Sequence, residues 1–174
     1  MGVEPSRAPI AAASPRVRSL IREGLFSEAD FSEATLSLVT CFQTLEHVPD
    51  PLALLESARR LLRPGGAVVT VCHDRTALPN RVLGTRSPIF DIEHLQLFSP
   101  ASLRRALALA GFERIELRAV RNRYPLGYWL RLLPLPARAR AAAEALVARF
   151  GLEAFPLALP VGNLMAVGFR PWRA

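Results

Sequence analysis

The stretch "LVTCFQTLEHVPDPLALLESARRLLRPGGAVVTVCHD", residues 38–74, decides the fold. It opens inside "LSLVTCF" and ends with "AVVTVCH", two short apolar runs rich in β-formers. Neither alternates, which is the pattern of strands buried on both faces. Between them "DPLALLESARRLLRPGG" reads as a helix. Asp50 suits the N-cap and Pro51 the first turn, while Leu52, Leu55 and Leu62 give helical spacing. "RPGG" stops it. Strand, helix and strand with short links predict a right-handed parallel βαβ unit.

Downstream, "SPASLRRALALAGF" predicts a helix capped by Ser99, with Pro100 at its first position and Gly111 at its end. "ERIELRAV" alternates as a strand does, and "NLMAVGFRP" predicts the last strand. Residues 124–162 lie between them and hold Pro125, Pro134, Pro136, Pro156 and Pro160. One helix, "ARARAAAEALVARF", is expected there. The fold class is α/β with a mostly parallel sheet.

The 174 residues suit one domain, and 51% of them are apolar, enough to bury a core. The formal charge is +7, yet all 22 basic residues are arginine and they are scattered. That pattern points to a compositional bias rather than a phosphate-binding face, so no nucleic-acid partner is expected. Cys41 and Cys72 are too few for a disulfide framework. No CxxC or Cys/His cluster suggests zinc, and His47, His73 and His94 match no ligand spacing, so no metal is expected. No apolar run reaches the roughly 20 residues of a membrane span, and no leader pattern opens the chain; a cytoplasmic location is expected.

The phrase "LEHVPDP" followed by "LRPGG" resembles the region after the fourth strand of class I S-adenosylmethionine (SAM) dependent methyltransferases. "EHLQLFSPASLRRALALAGFERIEL" resembles their next loop, helix and sixth strand, and "GNLMAVGFRP" their antiparallel seventh. "GVEPS", residues 2–6, resembles the end of the second strand. The resemblance implies an incomplete Rossmann-like sheet, mostly parallel with a last antiparallel strand. The first strand and its glycine loop are not in this sequence, so a truncated methyltransferase domain over residues 1–174 is expected, with an inserted lid-like segment at 124–162. The fourth strand should then stand at an edge, unless "LIREGLF" slides over to pair with it.

The resemblance also implies roles, each beside a plainer one. Ligands of open α/β sheets sit at the carboxyl ends of strands. Glu4 would bind the cofactor ribose, or be an exposed acid at a helix start. Leu25 and Phe26 would flank the adenine, with Asp30 as a displaced acid; Phe26 is equally read as core. Cys41, Phe42 and Gln43 would line the cofactor's ribose and methionine parts, with core packing an equal account of Phe42. Glu46 and His47 face the acceptor side. His47 could take a proton from a hydroxyl, or the pair could simply bond local backbone. His73, Asp74 and His94 would line the acceptor pocket.

The implied cofactor is SAM and the implied partner a small-molecule acceptor, apolar or aromatic. Tyr124, Tyr128 and Trp129 with nearby leucines form an apolar cluster, read as a helical lid or as a membrane-surface contact. Self-association through an open sheet edge is a further expectation. The alternative function is a catalytically inactive, methyltransferase-like interaction module.

Overall fold

The structure, a computed structural model, describes residues 1–133 and 135–172; Pro134 lies outside the described residues. Among the described residues six strands form: β1 (Gly2–Glu4), β2 (Ile21–Glu23), β3 (Leu36–Phe42), β4 (Leu62–His73), β5 (Glu113–Pro125) and β6 (Pro156–Phe169). The α-helices are α1 (Arg7–Ala12), α2 (Pro15–Arg18), α3 (Pro51–Leu61), α4 (Leu78–Leu83), α5 (Pro100–Leu109), α6 (Leu126–Leu132) and α7 (Ala137–Arg149).

The helix α3 begins where the sequence signals it. The Asp50 carboxylate accepts the Ala53 N–H at 2.9 Å, and Pro51 fills the first turn. Leu55, Ala58 and Leu61 recur on one face and are buried. Each fully buried leucine contributes about 2 kcal/mol. The chain turns directly from Leu61 into β4, five residues earlier than "AVVTVCH" suggests. The cap of α5 is reciprocal: Ser99 accepts the Ser102 N–H at 3.2 Å, and Ser102 Oγ accepts the Ser99 N–H at 2.8 Å.

Four strands pair in the order β3-β4-β6-β5. β3 and β4 are parallel, and both β4 and β5 run antiparallel to β6. Three strands therefore point one way and β6 alone opposes them, as expected. β1 and β2 form a separate parallel pair, with Gly2 opposite Ile21 and Glu4 opposite Glu23. "LIREGLF" thus pairs with β1, not β3.

The core lies under one face of the four-stranded sheet. Val68, Thr70 and Cys72 alternate inward along β4, and Val68 and Cys72 pack with Leu55, Leu103, Leu107, Leu164 and Ala166. Complete burial of "LSLVTCF" is not observed. Cys41 is buried, but Leu38 is 54% exposed and Phe42 60%. The reason is topological: β3 is the last strand of its sheet and pairs only with β4.

The small sheet is tied back at two points. The Arg60 guanidinium of α3 donates Nε and Nη2 to the two oxygens of Glu28, both at 2.6 Å. The Ala34 N–H donates to the Arg60 carbonyl at 3.0 Å. Between β5 and β6, strand pairing continues outward to Pro125 and Pro156, so the helical insertion narrows to 126–155. It holds α6 as well as the expected α7. The Trp129 indole N–H donates to the Leu157 carbonyl at 2.8 Å and pins α6 to the hairpin. No helix among the described residues is long and apolar enough to cross a membrane.

Candidate active site

The carboxyl ends of β3 and β4 collect most of the expected polar residues. After Phe42 the backbone of Gln43 enters the left-handed region, at φ 48°, while its N–H still donates to the Val71 carbonyl at 2.7 Å. A non-glycine residue held there marks a constrained turn. Leu45 then drops into the core and Glu46 is fully buried beside it. One Glu46 oxygen, Oε1, accepts the His73 N–H at 2.8 Å; Oε2 is buried with no partner among the described residues. The Leu95 N–H donates to the Glu46 carbonyl at 2.8 Å, and Gln96 Nε2 donates to the carbonyls of Leu45 and, at 2.8 Å, Val48. These bonds lock the loop after β3 to the loop before α5.

That clasp brings three imidazoles into a row. The rings of His47 and His94 are 4.8 Å apart, and those of His94 and His73 are 5.1 Å apart. His47 Nδ1 lies 3.0 Å from the Glu93 carbonyl, and His94 Nδ1 lies 2.8 Å from the Ile89 carbonyl. A carbonyl oxygen can only accept, so each Nδ1 carries a proton, and in the neutral ring Nε2 is the acceptor. His73 Nδ1 meets Asn163 Oδ1 at 3.1 Å and follows the same logic, since Asn163 Nδ2 donates to Asn122 Oδ1 at 3.2 Å. Burial holds His73 below the ordinary imidazole value; Glu46 and Asn163 oppose the shift, and the other two imidazoles add to it.

The remaining residues divide. Asp74 lies at the end of β4, but its Oδ1 accepts the Thr76 N–H at 2.8 Å and the Thr76 hydroxyl at 2.6 Å, so that oxygen serves its own turn. Glu4, Phe26, Cys41 and Phe42 line a cavity of about 400 Å³ between β1 and β3, together with Phe31 and Thr44. Leu25 is 79% exposed and does not line it. Gln43 stands with the imidazoles instead, its Nε2 3.4 Å from Asn163 Oδ1 and its Oε1 buried without a partner among the described residues. Asp30 pairs with Arg22. Burial pushes the Cys41 thiol up to about 11, and Cys72 upward as well, so both are inert thiols. Among the described residues no group of three His, Cys, Asp or Glu is arranged to hold a metal ion.

Asn163 and Phe31 join the site without a role expected of either from the sequence. Asn163 accepts from both His73 and Gln43; a lone amide inside the apolar run "VGNLMAVGF" was its only signal. Phe31 stacks against Phe26 at 5.9 Å and extends the apolar wall of the cavity.

The cavity's fit to an adenosyl group is one-sided. Glu4 accepts the Ser6 N–H at 2.9 Å through Oε1, which leaves Oε2 for a diol, and Phe26 with Phe31, their rings tilted by 32°, offers an aromatic wall. Among the described residues no glycine turn lines the cavity to bring backbone amides against the rest of such a ligand.

Residues 1–117 match the family model described as a methyltransferase domain. A ubiquinone biosynthesis O-methyltransferase of Paracidovorax citrulli is 30% identical over 99 residues, which cover 53% of this chain and 42% of that protein. A probable S-adenosylmethionine-dependent methyltransferase of Mycolicibacterium smegmatis is 32% identical over 113 residues, 63% of this chain and 40% of that one. The matched stretch thus spans about two fifths of these relatives. A crystal structure of a SAM-dependent methyltransferase from Thermotoga maritima superposes with TM-score 0.63 at 18% identity, over 98% of this chain and 72% of the other. With its model matched over two thirds of the length, at the very elements that build the cavity and the imidazole row, this chain belongs to the methyltransferase domain family.

Proposed function

We propose that this chain forms the acceptor side of a SAM-dependent methyltransferase that acts on a hydroxyl of a small, apolar or aromatic molecule. The supporting observation is the row of His47, His94 and His73, each Nδ1 tied to an oxygen acceptor. Bound SAM would supply an electrophilic methyl group on a sulfonium. The chain's own residues do the rest. Glu4 and the Phe26–Phe31 wall would hold the adenosyl end. Nε2 of exposed His47 would accept the hydroxyl proton as the oxygen attacks, and His94 and His73 would orient the acceptor. Glu46 would act as a positioning residue, holding the backbone of His73 at the end of β4. The name of the Paracidovorax citrulli relative, an O-methyltransferase of ubiquinone biosynthesis, agrees with methyl transfer to an oxygen.

SAM affinity is expected to be weak in the isolated chain, because the cavity grips one side of the ligand only. Isothermal titration with SAM measures this directly, and micromolar affinity would show that the cavity suffices. The acceptor reading is tested by imidazole ring NMR during titration with catechol. Shifts at His47 and His94 that saturate and vanish in His47→Ala are expected; unmoved ring signals would refute it.

The open edge of β3 favours a second reading, a non-catalytic module that binds a partner through this edge. Imidazole shifts that stay flat with catechol, alongside a partner bound at β3, would select it.

A further inference from the structure

Beyond the four-stranded sheet the chain builds a second surface. β4 ends at His73, opposite Asn163 of β6, yet β6 and β5 stay paired from there out to Pro156 and Pro125. This two-stranded ribbon runs roughly 20 Å past the carboxyl end of β4. It carries α6 and α7 at its tip, at the same end of the sheet as His73 and its neighbouring imidazoles.

The helix α7 buries none of its residues. Arg140, Ala143, Glu144 and Val147 are partly shielded and mark its inner side, where it meets α6. At about 3.6 residues per turn, Arg138, Ala139, Ala142, Leu146, Arg149 and the capping Phe150 share the outer side, and all six are exposed. Leu146 is 57% exposed and Phe150 66%, and they stand about one turn apart on the same face. Leu152 and Phe155 add exposed apolar surface in the segment that returns to β6. Arg138 and Arg149 border the apolar strip and form no ion pair among the described residues. The acid of this helix, Glu144, lies on the inner side and lines the cleft between α6 and α7.

Large apolar side chains bordered by unpaired arginines, with no acid among them, suit an anionic phospholipid surface. Acyl chains take up the leucine and phenylalanine side chains, and headgroup phosphates meet the guanidinium groups. A second copy of the chain suits it poorly, because a two-fold contact through this face sets arginine against arginine. We infer that the outer side of α7 docks this protein on an anionic bilayer, with Leu146 and Phe150 in the acyl boundary and Arg138 and Arg149 at the headgroups. The docking is independent of methyl transfer.

The test is co-sedimentation of the 174-residue chain with vesicles of phosphatidylcholine alone and of an equal mixture with phosphatidylglycerol. Partitioning should be about tenfold stronger or more on the mixture, since each arginine near such a surface is worth about fivefold. Leu146→Ser combined with Phe150→Ser, both at exposed sites, should keep the near-ultraviolet signal of Trp129 and weaken partitioning about tenfold or more. Arg138→Gln combined with Arg149→Gln should remove most of the preference for phosphatidylglycerol. Arg63→Gln combined with Arg105→Gln takes the same charge from exposed sites on β4 and α5 and should change partitioning less than about threefold. That pair separates docking through α7 from the general attraction of a chain of charge +7. Equal binding to both kinds of vesicle, binding to neither, or equal losses from the two arginine pairs overturns the proposal. So does unchanged partitioning of the Leu146 and Phe150 variant, or a vesicle-free dimer that this variant dissociates.

Discussion

The buried carboxylate of Glu46 accepts the backbone N–H of His73 at 2.8 Å, across the gap between the ends of β3 and β4. This contact converts a motif residue, expected to face the acceptor, into a clasp under it. Its other oxygen has no partner among the described residues, so the clasp carries an uncompensated cost. Glu46→Ala strands the His73 N–H and should lower stability by about 2 kcal/mol. Glu46→Gln keeps an accepting oxygen and should cost less. Urea denaturation of the two variants orders them, and equal losses would show that the charge, not the hydrogen bond, matters.

The titration of His73 should be visible in stability. Burial holds its folded pKa below 6.5, so the native state binds fewer protons than the unfolded chain as pH falls. Stability from this residue is complete above about pH 6.5 and declines as the pH drops from there through the depressed folded value. Denaturation midpoints between pH 8 and pH 5 should show this slope in the parent chain, and His73→Gln should flatten it.

The small sheet hangs on the Glu28–Arg60 fork. Hydrogen bonds from Arg60, helped by Ser57, hold the Glu28 carboxyl at about 2, against an ordinary 4.5. The sign follows: the pair is intact above pH 4.5 and is lost as pH falls toward 2. Arg60→Ala should loosen the same region at neutral pH while the four-stranded sheet persists. Faster tryptic cleavage at Arg16, Arg18 and Arg22, with an unchanged near-ultraviolet signal from Trp129, is the expected result.

Gly162 precedes Asn163 at a φ of 94°, and an added Cβ would overlap the Asn80 side-chain amide. Asn80 in turn donates to the Asp74 carbonyl at 2.7 Å and accepts the Ser87 hydroxyl at 2.8 Å. Gly162→Ala therefore combines left-handed strain with displacement of a buried amide and should cost about 2 kcal/mol or more. A melting temperature equal to the parent's would show that Asn80 has room to move. Added line broadening of the His73 ring signals would place the disturbance at the acceptor end of the site.

Much of the fold was legible because its signals are local. The caps at Asp50 and Ser99 and the prolines beside them act over three or four residues. The helix α6 was not legible. "LGYWLRL" lacks a cap and is too short to show a period, and it is held by the Trp129 bond to the distant Leu157 carbonyl. At the site, His47, His73 and His94 were each readable as residues that follow strands or precede a helix. Their ring-to-ring row was not, nor was the partnership of Gln43 and His73 with Asn163, because those contacts join residues 90 and 120 positions apart.

By itself the sequence determined the βαβ unit of β3, α3 and β4, the helix α5 and the strands β5 and β6, since apolar period, caps and turn residues are short-range properties of the chain, and its resemblance to known methyltransferases pointed to the family and to an antiparallel final strand. Tertiary structure alone decided that Glu46 is buried, that three imidazoles meet, that Leu25 stays outside, and that β1 and β3 face each other as unpaired edges. Those outcomes depend on which backbone groups find partners across the folded molecule, and no local pattern of residues encodes the competition for them.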